Sequence, residues 1–147
     1  MEPIQNYYSA VEEVIQSFGV DPATCRGQQI GQWNLKLGSA SVWVDVWQSK
    51  DKDGNFIDGG YLQVMAPVVD VPPGNAEFTR ELLEINHRLY GVAFTIHGNS
   101  AYIKAIRELE GLDKSEISAT LNRVGIYADD YDDQLKAKYW PVSGGRG

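Results

Sequence analysis

Residues 40–47 read Ala-Ser-Val-Trp-Val-Asp-Val-Trp, and this octet constrains the fold more than any other stretch. Strict alternation puts Val42, Val44 and Val46 on one face and Trp43, Asp45 and Trp47 on the other. A helix would mix the two sets around its circumference, so the octet reads as a strand. Both of its faces carry apolar weight. One side suits a core, and the other needs a cover or an occupant.

The neighbours fit the same sheet. Trp33, Leu35 and Leu37 alternate with Gln32, Asn34 and Lys36, and Gly38-Ser39 suits a tight hairpin into the octet. A third strand runs from Tyr61 to Val68. Leu62, Val64 and Ala66 share one face, and Tyr61, Gln63 and Met65 share the other. A polar loop from Ser49 to Gly60 joins the second and third strands. Val92, Phe94 and Ile96 mark a fourth strand, Gly98-Asn99 a turn, and Ala101 to about Arg107 a fifth.

Helical spacing appears in three places. Ile4, Tyr7, Tyr8, Val11, Val14, Ile15 and Phe18 form the apolar stripe of a first helix, which Gly19 ends. Asn75 is the expected N-cap of a second, with Phe78, Leu82, Ile85, Asn86 and Leu89 on one side and Gly91 as its stop. Asp113-Lys114-Ser115-Glu116 has the form of a capping box. It opens a third helix through Ile117, Leu121, Val124, Ala128, Tyr131, Leu135 and Tyr139. The fold class is therefore α+β, in the order α-β-β-β-α-β-β-α. Residues 1–139 are expected to form one domain and 140–147 a flexible tail.

Catalytic and metal motifs are sparse. Asp51-Lys52-Asp53-Gly54-Asn55 opens like a calcium loop, but Phe56 stands where the sharp turn needs glycine, and Leu62 where a bidentate glutamate belongs. A polar turn explains the same residues. Asp129, Asp130, Asp132 and Asp133 spread around a helix and read as a solvated acidic face that attracts a basic partner. His87 and His97 lack metal-pair spacing, and neither a nucleophile elbow nor a phosphate loop is present. No catalytic residue, metal ligand or cofactor is assigned, and the chain reads as non-enzymatic. The single cysteine, Cys25, reads as a small half-buried apolar residue; one thiol makes no internal disulfide.

Charge narrows the partner. The 147 residues carry a net charge of −7, which disfavours phosphate backbones and anionic membranes and favours a neutral or basic segment. The N-terminus lacks a signal-peptide pattern, and no run approaches the ~18 apolar residues of a membrane span. A cytoplasmic protein is expected. With the valines facing the helices, Trp43 and Trp47 face outward with Tyr61 and Met65. Such a patch marks an interface, and these four residues are the expected partner-binding site.

Three stretches carry a family resemblance. They are Leu62-Gln63-Val64-Met65-Ala66-Pro67-Val68, then Leu82 to Phe94 with its Leu-Leu-Glu, Asn86, Leu89, Gly91 and Ala93-Phe94 pattern, and Leu109 to Asp133. Over about Ile4 to Leu135 the chain resembles the YbjN-like, Tir-chaperone-like relatives of type III secretion chaperones, most of all a cyanobacterial and plastid branch. The resemblance implies a homodimeric, chaperone-like α+β domain that holds an extended segment of another protein. For that branch it implies a carboxysome assembly role, by binding a shell-protein tail. It brings no catalytic residues. The motif's Asn86 is expected to cap or bridge backbone groups, because a buried amide needs partners. The alternatives are a dimeric regulator of a folded partner and a small-molecule sensor.

Overall fold

The alternation that opened the sequence organises the sheet. In the computed structural model, which describes residues 2–141, the octet is strand β2 (Ala40–Trp47), hydrogen-bonded between β1 (Gln32–Leu37) and β3 (Tyr61–Asp70). The chain begins with α1 (Ile4–Ser17) and a 3-10 turn (Pro22–Thr24), and continues after β3 with α2 (Ala76–Asn86), β4 (Ala93–His97), β5 (Ser100–Glu108) and α3 (Lys114–Tyr139). The five strands are antiparallel in the order β1-β2-β3-β5-β4. The element order is the expected one.

Val42, Val44, Leu62, Val64, Ala66, Ala101 and Ile103 lie on the inner face and are fully buried. Helix α3 packs along them with Ile117, Leu121, Val124 and Ala128. Each valine, leucine or isoleucine among them contributes roughly 1.5–3 kcal/mol relative to exposure. Helix α1 lies beside α3 in the same layer, and α2 packs by β4. Phe78 of α2 meets Tyr139 of α3 edge-on at 5.0 Å, and Phe94 of β4 meets Tyr131 of α3 at 5.5 Å. All three helices therefore share one side of the sheet.

Helix α3 starts as the sequence predicts. The Asp113 carboxylate accepts the Glu116 N–H, and the Glu116 carboxylate accepts the Asp113 N–H. Gly125 in mid-helix has a packing reason. A Cβ there would stand 3.0 Å from Leu37 Cβ, so the glycine lets α3 close onto β1. This benefit opposes the ~1 kcal/mol by which glycine weakens a helix interior.

Other expectations need correction. Asn75 holds the N-cap position of α2, but its side chain makes no capping bond to the backbone. Helix α2 ends at Asn86, short of Leu89, and i→i−3 bonds from Arg88 N–H and Leu89 N–H close its last turn. Strand β3 runs on to Asp70 through a register shift between Pro67 and Val69. Proline lacks a ladder N–H, which makes this a suitable place for the irregularity. The expected flexible tail over 140–147 lies outside the described residues from position 142 on. Trp140 itself is anchored, its indole N–H donating to the Asp70 carbonyl at 2.8 Å.

Candidate partner-binding face

The outer face of the sheet is a lattice set by strand register. Trp43 stands opposite Met65, which stands opposite Lys104. Asp45 stands opposite Gln63, then Ile106. Trp47 stands opposite Tyr61, then Glu108. The side chains of one strand on this face are ~6.6 Å apart, and the strands ~4.8 Å apart. Trp47 and Tyr61 approach ring to ring at 5.4 Å, and Trp43 leans on Tyr102 at 6.0 Å. Trp43, Trp47, Tyr61 and Met65 are each partly exposed, and Ile106 is half-exposed.

The structure thus brings together the four residues singled out in the sequence. It adds Tyr102 and Ile106 from β5. Residues 101–106 alternate too, but both of their faces carry apolar residues, so the sequence alone does not say which side faces out. Among the described residues no helix lies over this face, since all three pack on the other side.

Local structure holds the lattice in place. The loop between β2 and β3 returns through Gly60, whose φ is +89° and where a Cβ would stand 2.9 Å from the Trp47 carbonyl oxygen. Only glycine permits that approach, and it seats Tyr61 on Trp47. The Tyr61 hydroxyl bonds the Asp58 carboxylate, which raises its pKa. Asp45 lies between the two tryptophans. Burial pushes its carboxyl above the usual range, and a hydrogen bond from Gln32 opposes that rise.

Both sheet edges are partly occupied. Beside β1, the Asn34 N–H donates to the Cys25 carbonyl at 2.8 Å, and the Gly27 N–H to the Gln32 carbonyl at 2.7 Å. Beside β4, the Asn86 side chain acts as a short strand. It accepts the Phe94 N–H at 2.6 Å and donates its amide to the Phe94 carbonyl at 3.3 Å. The motif asparagine therefore bridges backbone groups as expected. Partner addition to an edge has only short open lengths near Lys36 and Ile96, since outward-facing backbone groups alternate along an edge strand.

The remaining candidates have structural roles. Cys25 is buried, its Sγ 3.5 Å from the Pro22 carbonyl, and burial raises its pKa. Asp129 bonds the Ser39 hydroxyl, and Asp132 pairs with Lys136 at 2.6 Å. Asp51 caps its own loop by accepting the Asp53 and Asn55 N–H groups. Both histidines are exposed. Among the described residues no three His, Cys, Asp or Glu side chains cluster to hold a metal. Among them, too, no helix is long and apolar enough to cross a membrane.

The comparisons with known proteins bear on the family and the fold. Residues 6–145 match the family described as T3SS (YopN, CesT) and YbjN peptide-binding chaperone 1. The chain belongs to that family. Comparison with curated proteins gives no sequence match. Among solved structures, a chain of the ExsC–ExsE complex aligns with a TM-score of 0.67 at 18% identity, covering 92% of this chain and 97% of that one. A chain of the HopA1–SchA chaperone–effector complex gives 0.61 at 8% identity, covering 90% and 99%. A chain of the Yersinia pestis structure of the type III secretion chaperone SycH with a YscM2 fragment gives 0.58 at 12%, covering 84% and 98%. At these identities the likeness is one of fold.

Proposed function

We propose that this member of the peptide-binding chaperone family is a non-enzymatic holder of an extended segment of another protein. The segment lies on the outer sheet face, against Trp43, Trp47, Tyr61 and Met65. The observation that carries this reading is the position of all three helices on the opposite side, which leaves a row of aromatic side chains with no described element over it. An apolar patch of this kind on a scaffold of this family suits a partner better than bulk water. The closed stretches at both sheet edges favour a face-bound segment over long strand addition.

The finer reading adds a cytoplasmic homodimer, and a carboxysome shell-protein tail as the segment held. The resemblance to type III secretion chaperones supports the homodimer, and the resemblance to the cyanobacterial and plastid branch supports the shell-protein tail.

The test compares the wild type with the Trp43→Ser/Trp47→Ser double variant. It measures circular dichroism, mass in solution, and capture of a shell-protein tail and of lysate proteins. The expected result is a folded variant of unchanged mass that loses the captured segment. A folded variant with undiminished capture would refute the face as the site.

A further inference from the structure

The outer face is not uniformly apolar. Its middle row on β2 is Asp45, which shares its face with Trp43 on one side and Trp47 on the other. Its cross-strand neighbours are the uncharged Gln32 and Gln63. Among the described residues none of the ion pairs involves Asp45. Lys104, on the same face, lies two strands away in the Trp43 row and makes no ion pair with Asp45. Arg26, on the segment beside β1, is already committed to Glu12 through two bonds of 2.7 Å.

Asp45 also lines two neighbouring open grooves. One, of about 300 Å³, is bordered by Gln32, Asn34 and Trp43. The other, of about 280 Å³, is bordered by Ile30, Gln32, Trp47 and Gln63. Ile30 is 86% exposed at the rim. A half-buried carboxylate between two indoles, with a groove on either side and no ion-pair partner among the described residues, is a recognition element for a cation. Guanidinium suits it best, because it pairs with the carboxylate and stacks on an indole face in the same pose.

We infer that the segment held on this face carries a basic residue, arginine in preference to lysine, seated on Asp45 between Trp43 and Trp47, with an apolar residue two positions to either side. The inference rests on the proposed face-binding reading and adds the chemistry that chooses the segment. The spacing follows from the backbone. Same-face side chains of an extended partner repeat at ~6.6 Å, the interval between the rows of Trp43, Asp45 and Trp47. The central cation then faces Asp45 while its flanking residues meet the tryptophans. A second copy of this chain fits less well. A two-fold contact centred on Asp45 would set two carboxylates against each other.

The probe is a short synthetic peptide with leucines two residues to either side of a central arginine, lysine, glutamine or glutamate. Binding to the full chain is measured by fluorescence anisotropy. Wild type is expected to bind the arginine peptide about tenfold more tightly than the glutamine one, as for a charge-assisted pair. Asp45→Asn should level that ratio, and Asp45→Lys should transfer the preference to glutamate. Equal binding of arginine and glutamine peptides, lost on Trp43→Ser/Trp47→Ser, overturns this inference and leaves the face reading standing. Binding that ignores the double variant, or no binding at all, removes both. A wild-type dimer that the double variant dissociates assigns the face to a second copy and overturns the inference.

Discussion

Removing the amide of Asn86 should destabilise the protein well beyond an ordinary helix-end substitution. In Asn86→Ala, the Phe94 N–H and carbonyl lose their partners at 2.6 and 3.3 Å. Each bond contributes about 0.5–1.5 kcal/mol net, and a buried group left unpaired costs about 1–3 kcal/mol. Phe94 is buried and Asn86 only partly so, which lets some water reach the freed groups. The expected loss is therefore about 2–3 kcal/mol. At a urea slope of ~2 kcal/mol per molar, the midpoint should fall by roughly 1 M with an unchanged slope. Amide exchange at Phe94 should accelerate at the same time, because its acceptor has gone. Asn86→Asp keeps the acceptor and sets a carboxylate against the carbonyl, so it should fall between alanine and wild type. A loss below about 0.5 kcal/mol in the alanine variant, typical of a neutral surface change, would refute the view that Asn86 closes the β4 edge.

Gly125→Val should destabilise through its branched side chain meeting Leu37, by about 1–3 kcal/mol as overpacked cores do; a urea midpoint equal to wild type would contradict the close approach of α3 to β1. Glu12→Gln tests the acid range. The Arg26 hydrogen bonds hold the Glu12 carboxyl below its usual pKa, with the Trp33 indole N–H adding to the effect against burial. A lowered folded pKa contributes stability above the unfolded value of ~4.3 and loses it as pH falls through the folded pKa. The variant should therefore be less stable than wild type at neutral pH and converge on it in acid; a gap of constant size across that range would show that the ion pair is not its source.

Sequence periodicity carries far where one face is buried and the other is distinctive. The β2 octet places its own valines and tryptophans, and β3 does the same with Leu62 and Tyr61. The capping box at Asp113 marks the start of α3 because its two reciprocal bonds are local. Properties that depend on distant partners are harder to read. The insertion of β5 between β3 and β4 leaves no local signal, so Tyr102 and Ile106 join the outer face only through register. The pairing of residues 25–27 with β1 is equally hidden, since Arg26 and Gly27 read as loop. Helix α2 gives way after Asn86 to a tighter turn with i→i−3 bonds, and apolar spacing does not separate that turn from another turn of helix. Asp45 was visible as a polar member of an aromatic face. Its significance comes from its lack of an ion-pair partner among the described residues, which only the folded sheet reveals.

Site-specific photo-crosslinking locates the held segment most directly. A benzophenone side chain at Met65, on the outer face, is compared with one at Leu83, which is 65% exposed on α2. Each is irradiated in the presence of the captured partner. The expected result is a covalent product from position 65 that an excess of the arginine peptide suppresses, and none from position 83. A product from position 83 alone would contradict it.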